Sequence, residues 1–401
     1  MFNSLKFKVI LFGFIFTFFS SFGQSYFLGL FNSSIREALS ITHGQFGSIY
    51  ASATLCSSLL LIWVGKKIDD VNIFKFALFV IILLSFACFF FSKVSSVLLL
   101  FIAIFLMRFS GQGMMSHTAS TTISRYFTKT RGRALSISWF GLSSAEFIMP
   151  VLMVYLLTIL DWQNLWFIFS ITVLIILPIA SFLLIKNLNL DSREANEDYV
   201  KEVEIKQWKR KEVINDYRFY IISLNMLAMP WIFTGFAVFQ SFIQTSKGWG
   251  PYIIAQSFMS YSVFSVLTLF LSGFLIDKFT SRKLLIYMNI PLLLSVIVIF
   301  FFNTPITAFV FLGLVGISNG FANILGSSTW AELYGVKYLG SIKALTTALM
   351  VFATAFGTAL FGFLIDIGFS VGDIAIVSGL YIFISLILLF LIRKKLNPVI
   401  I

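Results

Sequence analysis

The chain alternates between long apolar runs and short polar links. The runs fall at 8–31, 45–64, 73–92, 96–118, 134–157 and 164–185, and after a polar break at 219–244, 252–276, 283–302, 306–328, 341–365 and 371–392. A helix needs about 20 apolar residues to cross a hydrocarbon core of about 30 Å. Backbone amides find no water in lipid, so helices are the expected form. The pattern predicts an all-α integral membrane protein with twelve transmembrane helices, numbered below as spans 1 to 12.

Composition agrees with a lipid-embedded chain and gives no sign of an enzyme. Hydrophobic residues make up 59% and charged residues 11% of the 401, against about 45–50% and about 25% in soluble domains. The two Cys lie inside apolar runs, and with only two His they offer no metal site. The Gly-x-x-x-x-Gly-Lys nucleotide loop is missing, so ATP-driven transport has no support. We expect no cofactor, with a proton as the coupling ion.

The basic residues indicate which links face the cytoplasm. The termini and the even-numbered links hold 25 of the 29 Lys and Arg residues; Arg36, Lys93 and Lys247 lie in odd-numbered links, and Arg108 lies inside a span. The positive-inside rule places both termini in the cytoplasm, and the short external links are typical of a bacterial inner membrane protein. The net charge of +12 does not form one basic face. The expected partners are therefore the lipid bilayer and a small solute, with no nucleic acid, and the expected state is a monomer.

The polar break divides the chain into two halves. We predict a six-helix bundle at 1–185, a central cytoplasmic loop at 186–218, and a second six-helix bundle with a short cytoplasmic tail at 219–401. The loop carries both charge signs, which favours a solvated linker. The alternative is a short amphipathic helix on the lipid headgroups, because Trp208 lies among basic residues.

A shift of 208 residues aligns the two halves without a gap. Gly65-Lys-Lys-Ile-Asp69 then meets Gly273-Phe-Leu-Ile-Asp277, in the links that follow spans 2 and 8. The repeated Gly-x-x-x-Asp at equivalent links indicates an internal duplication.

These loops resemble the Gly-x-x-x-Asp-(Arg/Lys)-x-Gly-(Arg/Lys) signature of the major facilitator superfamily. The second copy continues with Lys278 and Arg282, whereas the first has Asp70 in place of the basic residue. The resemblance implies two pseudo-symmetric bundles around a cavity lined by spans 1, 4, 7 and 10, and a cytoplasmic gate. The implied gate residues are Gly65, Asp69, Gly273, Asp277, Lys278 and Arg282. The glycines would permit close helix approach, and the aspartates would accept bonds from a neighbouring helix amino terminus.

Two further stretches resemble the monocarboxylate- and oxalate-type porters of that superfamily. They are GQSYFLGLFNSSIREALSITHGQFGSIYASATL in spans 1 and 2, and RYFTKTRGRALSISWFG in the link between spans 4 and 5. The resemblance implies a small organic anion as the solute.

Two ionisable residues lie inside spans, Arg108 in span 4 and Glu146 in span 5. Each costs about 2.5–3.5 kcal/mol on insertion scales, so each is expected to face a cavity or a partner. Arg108 opens RFSGQGMMS, which resembles the superfamily's Arg-x-x-Gln-Gly motif, and at 100° per residue Gln112 and Met115 share its face. Arg108 is able to hold a carboxylate bidentately, and Glu146 is able to exchange a proton. The alternative is a permanent ion pair between the two, and both interpretations stay open.

Softer candidates are polar residues on other spans. Each is either part of the cavity wall or a helix–helix hydrogen bond. They are Gln24, Tyr26, Gln240, Tyr261, Asn319 and Asn323.

The sequence as a whole predicts a secondary active transporter that works by alternating access, with proton-coupled uptake of a monocarboxylate-like anion. One alternative is a proton-driven exporter of amphipathic compounds, which the aromatic-rich spans permit although span 5 lacks the Gly-Pro pattern of drug antiporters. A remote alternative is a membrane sensor or scaffold that transports nothing.

Overall fold

The computed structural model describes residues 4–127, 130–186, 206–335 and 337–398. Within them, twelve helical stretches are long and apolar enough to cross a membrane, which confirms the predicted all-α architecture with twelve spans. The stretches are Leu5–Gly29, His43–Ile68, Ile73–Phe91, Val97–Tyr126, Gly132–Leu156, Trp162–Ile185, Tyr217–Val238, Ile253–Ile276, Ser281–Phe301, Ile306–Tyr334, Leu339–Asp366 and Val371–Lys395. The chain forms two compact units, Met1–Glu197 and Asp198–Ile401.

Unit 1 contains spans 1 to 6, and spans 1 and 4 are each built from several pieces. Its α-helices are α1 Ser4–Ser20, α2 Ser25–Gly29, α3 Asn32–Leu39, α4 His43–Gly65, α5 Ile73–Phe91, α6 Val97–Met107, α7 Ser116–Tyr126, α8 Arg131–Leu156 and α9 Trp162–Ile185. Short 3₁₀ turns occupy Ser21–Gly23 and Lys66–Asp69, and a π-helical segment occupies Arg108–Met115.

Polar residues in the links fix where the helices of unit 1 begin. Thr42 accepts a hydrogen bond from the Gln45 amide at 3.1 Å, and the Gln45 side chain accepts from the Thr42 amide at 2.9 Å. This reciprocal pair starts α4. The Asp161 carboxylate accepts from the Asn164 amide at 2.9 Å and starts α9. Each cap satisfies amides that a helix amino terminus leaves without an intrahelical partner.

A buried aromatic cluster holds the broken span 1 against α9. Its centre is Trp166, which is fully buried, with its ring 6.0 Å from Phe22, 5.7 Å from Phe27 and 5.1 Å from Phe31. Edge-to-face contacts of this kind add about 0.5–1.5 kcal/mol per pair beyond burial. The rings thus fix the position of the pieces of span 1 on both sides of its break.

Unit 2 contains spans 7 to 12. Its α-helices are α10 Arg210–Ile214, α11 Tyr217–Val238, α12 Gln240–Ser246, α13 Ile253–Phe279, α14 Ser281–Leu284, α15 Ile290–Phe301, α16 Ile306–Tyr334, α17 Leu339–Asp366 and α18 Val371–Ile392. Short 3₁₀ turns lie at Leu285–Tyr287 and Arg393–Lys395.

The described end of the predicted central loop packs on unit 2. The Trp208 amide donates to the Tyr334 carbonyl at 3.0 Å, and Val213 of α10 is fully buried in the hydrophobic cluster that contains Trp330 and Tyr334. Residues 206–218 therefore pack on unit 2 through Trp208 and Val213, while Lys209, Arg210 and Lys211 remain exposed. The rest of the predicted loop, 187–205, lies outside the described residues, and the predicted domain boundaries stay predictions.

The helix boundaries repeat with the spacing found in the sequence. α3 and α12 start at residues 32 and 240, and α8 and α17 start at 131 and 339, so both pairs are 208 residues apart. Phe31 and Phe239, also 208 apart, directly precede α3 and α12 with similar backbone angles, φ −98° and −103°. The Ser21–Gly23 break of span 1 has no such counterpart, because α11 is continuous from Tyr217 to Val238.

Candidate functional site

Span 1 breaks at Gly23 and Gln24, and the break frees a backbone carbonyl inside the unit. Gln24 is extended, with φ −80° and ψ 150°, and its own carbonyl accepts from the Phe27 and Leu28 amides that begin the next turn. The Gly23 carbonyl therefore lies at the end of the 3₁₀ turn and turns to span 4. Serine and glycine pairs are a recognised cause of such helix breaks.

Glycines let the break in span 1 touch the π-helical segment of span 4. A Cβ on Gly23 would lie 2.3 Å from the Gln112 nitrogen and 2.4 Å from the Met107 oxygen, and a Cβ on Gly111 would lie 2.6 Å from the Gly23 nitrogen. Only glycine permits backbones to approach this closely. π-Helical turns inside α-helices are frequent at functional sites. Two irregular segments thus cross at the point where Arg108 begins the π-helical one.

The Arg108 guanidinium lies at this crossing and is almost completely buried, at 3% exposure. Its Nη1 donates to the Gly23 carbonyl at 3.0 Å and to the Ser25 hydroxyl at 3.3 Å. Its Nε has no hydrogen-bond partner among the described residues. Neutral hydrogen-bond acceptors therefore stabilise the cation, and its Nε donor has no partner among the described residues.

Tyr50 of α4 closes the site from span 2. The ring is 1% exposed and its centroid is 5.4 Å from the Arg108 Cζ, within cation–π range. Its hydroxyl donates to the Ser25 hydroxyl at 3.0 Å. Ser25 thus accepts hydrogen bonds from both Tyr50 and Arg108, which ties spans 1, 2 and 4 together around one oxygen.

Glu146 is the second buried ionisable group, and it does not pair with Arg108 in this structure. It lies on α8 at 8% exposure. None of the ion pairs found among the described residues includes Glu146 or Arg108. Its carboxyl group is close enough to Tyr26 of α2 to interact electrostatically with the phenol. Unit 1 therefore buries one cation and one carboxyl group separately.

The other unit 1 candidates lie on the broken span 1 and on the π-helical segment of span 4. Gln112 is half-buried and its backbone packs on Gly23, while Met115 is fully buried. The π-helical segment changes the angular spacing, so the common face expected at 100° per residue does not apply between Arg108 and Met115. Gln24 is half-buried at the break of span 1, and Tyr26 is 2% exposed.

The unit 2 candidates do not form one cluster. Gln240 is buried and its Nε2 donates to the Ala237 carbonyl at 2.9 Å, beside an aromatic-walled cavity of about 20 Å³ that has room for about one water. Tyr261 stacks on Phe233 at 4.9 Å. Asn319 donates to the Ser265 hydroxyl at 2.9 Å, whereas Asn323, four residues on, is exposed.

Two side chains of span 4 form hydrogen bonds with backbone carbonyls of the first predicted gate loop. His117 contacts the Gly65 carbonyl at 2.9 Å, and Arg125 donates to the Ile68 carbonyl at 3.1 Å. A Cβ on Gly65 would meet the His117 ring at an ordinary 3.5 Å. The side chain of Asp69 lies outside the described residues, and its expected role stays a prediction.

In the second gate loop, a carboxylate outside the predicted gate residues accepts hydrogen bonds from the amino terminus of a helix. Glu332 of α16 accepts from the Ser281 amide at 2.8 Å and the Arg282 amide at 3.4 Å, the first two of α14. The Asp277 side chain lies outside the described residues. A Cβ on Gly273 would meet no atom within 4 Å, so the structure does not bear out close helix approach as the reason for glycine there.

The two basic gate residues, Lys278 and Arg282, have different contacts. Lys278 lies 5.2 Å from the Phe279 ring centroid. Arg282 donates to the Leu396 carbonyl at 3.2 Å and to the Asn397 side chain at 3.0 Å, and it lies 3.9 Å from Glu332. The α14 amino terminus is thus joined to both α16 and the carboxyl-terminal tail.

Sequence reasoning missed Gly23, Ser25, Tyr50 and Glu332. The first two stand in the Ser-Phe-Gly-Gln-Ser interruption of an otherwise apolar run, which is the kind of break that marks binding sites in transporters. Glu332 is an acidic residue at the end of an apolar run. Tyr50 gives no sequence signal of its own, because its role depends on contact with two other spans.

The fold matches solved transporter structures over nearly the whole chain. A bacterial homologue of the human lysosomal transporter Spinster, in an inward-facing and occupied conformation, superposes with a TM-score of 0.71 at 14% identity, covering 97% of this chain and 96% of that one. The nucleoside transporter NupG superposes with a TM-score of 0.71 at 14% identity, covering 98% of both chains. Identities this low show a shared fold only.

Sequence comparison shows the family. No curated protein matches the chain. The sequence profile described as Major Facilitator Superfamily matches residues 13–260, more than half of the 401. A twelve-span helical fold, matching solved transporters and carrying this profile, identifies a membrane transporter and not an enzyme. The chain belongs to the Major Facilitator Superfamily.

Proposed function

We propose that the protein takes up a small, monocarboxylate-like organic anion together with a proton, and that Arg108 binds the carboxylate. The observation that carries the proposal is a guanidinium at 3% exposure that has an open Nε and no carboxylate partner among the described residues. A buried charge without a counter-ion costs several kcal/mol. An anionic solute would supply that counter-ion.

The donors around Arg108 suit a carboxylate. Guanidinium groups bind carboxylates with two parallel N–H···O bonds, and the open Nε leaves room for one of them. Ser25 already accepts two hydrogen bonds, from Arg108 and Tyr50, so its own hydroxyl proton is available to an acceptor. The nearest aromatic wall, Tyr50, offers an apolar surface to a short carbon chain. These features favour a small monoanion over a neutral solute.

The site is closed in this structure, so binding requires a second state. Alternating access supplies one, because the bundles of such transporters rock around a central site. The competing interpretation is structural: Arg108 joins the broken span 1 to span 4 through Gly23 and Ser25. A purely structural Arg108 would change the stability of the protein and leave its anion selectivity unaffected.

Glu146 is the proposed proton carrier. It is buried on α8 and makes no ion pair among the described residues. A carboxyl group in such a site exchanges a proton when its surroundings change between the two states of the cycle. The distribution of Lys and Arg predicts cytoplasmic termini, and the short external links are typical of a bacterial inner membrane protein.

The test of Arg108 is uptake of labelled acetate, lactate or oxalate into proteoliposomes with an inward proton gradient. Arg108→Ala should lower uptake at limiting substrate by about 10- to 100-fold, the loss of a charge-assisted hydrogen bond worth about 1.5–3 kcal/mol. Arg108→Lys keeps the charge but loses the planar fork, so it should restore only part of the activity. Arg133→Ala, at an exposed arginine of α8, is the matched control and should leave uptake unchanged.

The test of Glu146 separates coupling from binding. Glu146→Gln should abolish the acceleration by a proton gradient but retain exchange of labelled for unlabelled anion. Glu37→Gln, at an exposed carboxylate of α3, should keep both activities. Gradient-driven uptake by Glu146→Gln at the normal rate would remove Glu146 from the mechanism.

Two further outcomes would favour other functions. Altered susceptibility of cells to amphipathic drugs, without anion uptake by the purified protein, would indicate an exporter. Full anion uptake by Arg108→Ala, with only a lower melting temperature, would show that Arg108 is a structural connection.

A further inference from the structure

A basic cavity lies in unit 2 and shares no residue with the transport proposal. Its volume is about 520 Å³, within the range of small-molecule binding sites. Three cations line it: Arg282 and Lys283 of α14, and Arg393 at the end of span 12. Two aromatic residues, Phe279 and Tyr287, line it as well. Cations from two separate parts of the chain thus converge on one cavity.

Among the described residues, one carboxylate lies close to the three cations. Arg282 lies 3.9 Å from Glu332, whose oxygens are already bonded to two backbone amides. Lys283 and Arg393 are exposed and take part in no ion pair among the described residues. Among the described residues, the cations of the cavity therefore outnumber the carboxylates beside it, and an excess of positive charge is the electrostatic requirement for binding a phosphate group.

The position and walls of the cavity indicate a lipid. It lies at the junction of three membrane-spanning stretches, where Ile253–Ile276 ends, Ser281–Phe301 begins and Val371–Lys395 ends. The ends of membrane-spanning helices are expected at headgroup depth. Phe279 and Tyr287 are 43% and 57% exposed, as expected of aromatic residues at a membrane interface. The remaining wall is mainly aliphatic.

We propose that this cavity binds the headgroup of an anionic phospholipid, with Lys283 and Arg393 contacting the phosphate and the apolar wall contacting the start of the acyl chains. Basic pockets between transmembrane helices are known to hold anionic headgroups. A free phosphate would satisfy the cations but not the apolar wall. A bound lipid would join the link between spans 8 and 9 to the carboxyl-terminal tail.

The experiment is a thermal-unfolding titration of the full-length protein in neutral detergent. Phosphatidylglycerol should raise the melting temperature with a saturable midpoint, because a ligand of the folded state stabilises it by mass action. Phosphatidylcholine should have no such effect. In the double variant Lys283→Gln/Arg393→Gln, the phosphatidylglycerol concentration at the midpoint should rise by about 30-fold, because each removed surface charge contributes about fivefold. The control Lys343→Gln/Lys394→Gln removes two exposed charges outside the cavity and should keep the midpoint.

The outcomes separate the alternatives. Equal stabilisation by phosphatidylcholine, or an unchanged midpoint in Lys283→Gln/Arg393→Gln, would contradict the proposal that this cavity binds an anionic headgroup. Full stabilisation by soluble glycerol 3-phosphate at the same concentration would contradict the proposal that the ligand is a lipid. It would indicate a free phosphate ligand instead. The readout is binding, so it is independent of whether the transported solute is an anion.

Discussion

Arg108 shows how a charged residue is accommodated inside a membrane protein without an opposite charge beside it. Its Nη1 uses a carbonyl that the extended Gln24 frees from the helix, and a serine that follows the break. Glu146, the obvious counter-ion, is buried on another helix and unpaired with it among the described residues. Neutral dipoles offset part of the desolvation cost of the cation, and its charge has no counter-ion among the described residues.

The Ser25 oxygen should matter to binding because two donors converge on it. Tyr50→Phe removes the 3.0 Å bond to Ser25 and should raise the KM for the anion about fivefold, the effect of about 1 kcal/mol. The measurement is concentration-dependent uptake into proteoliposomes. Tyr155→Phe, at a phenol that is 53% exposed on α8, is the control. An unchanged KM in Tyr50→Phe would place Tyr50 outside the binding site.

Residue types could be found from the sequence, but their contacts could not. Arg108 and Glu146 stand out because charge is rare within apolar runs. The partners of Arg108 could not be inferred, because the contact depends on a break at Gly23 and a π-helical turn that shift the register of both spans. Periodicity assumes an ideal helix, and it fails where two irregular helices meet.

At the scale of elements, the crossing of spans 1 and 4 depends on glycine. Gly111→Ala places a Cβ 2.6 Å from the Gly23 nitrogen, which is backbone and has no rotamer with which to move away. Overpacking of this kind costs about 1–3 kcal/mol. We expect a lower melting temperature and reduced transport. Gly273→Ala is the matched control, since no atom lies within 4 Å of its Cβ, and it should unfold like the wild type.

The elements at one end of unit 2 are joined by a buried ion pair. Arg218 pairs with Asp216 at 2.8 Å and donates to the Lys395 and Asn397 carbonyls at 3.2 and 2.9 Å. The Tyr334 hydroxyl donates to the same aspartate at 3.1 Å. The start of span 7 thus holds the end of span 10 and the carboxyl-terminal tail.

Arg218→Ala should destabilise the protein strongly, because it leaves Asp216 buried without its cation. The expected loss is about 3–5 kcal/mol, typical of breaking one side of a buried pair. Arg210→Ala removes an exposed arginine eight residues earlier and should have little effect. Chemical denaturation in detergent compares the two variants. Equal stabilities would show that the ion pair is not important for the fold.

At the scale of the whole molecule, the sequence predicts the architecture well. Hydrophobic run length located the twelve spans because lipid imposes one length and one secondary structure. The 208-residue repeat reappears in the helix starts. The packing of residues 206–218 on unit 2 was not predicted. This segment is rich in charged residues, and the few apolar residues that pack on the core, Trp208 and Val213, form no apolar run in the sequence.

The orientation of the chain gives a prediction of its own. Lys343 lies in the first turns of span 11, beside an even-numbered link, and Lys93 lies in an odd-numbered link; both are exposed. In cells, a membrane-impermeant thiol reagent should label Lys93→Cys from outside and should not label Lys343→Cys until the membrane is opened. A variant without Cys56 and Cys88 is the background for both. The reverse pattern would place the termini outside and contradict the predicted orientation.

The central claim is that the buried guanidinium of Arg108 binds the carboxylate of the solute. The most direct measurement is the melting temperature of purified wild-type and Arg108→Gln protein against a panel of organic acids, sugars and amino acids. A ligand of the folded state raises that temperature. The proposal predicts a saturable rise with one or more small monocarboxylates for the wild type and none for Arg108→Gln. A rise that survives in Arg108→Gln, or one produced only by neutral compounds, would contradict it.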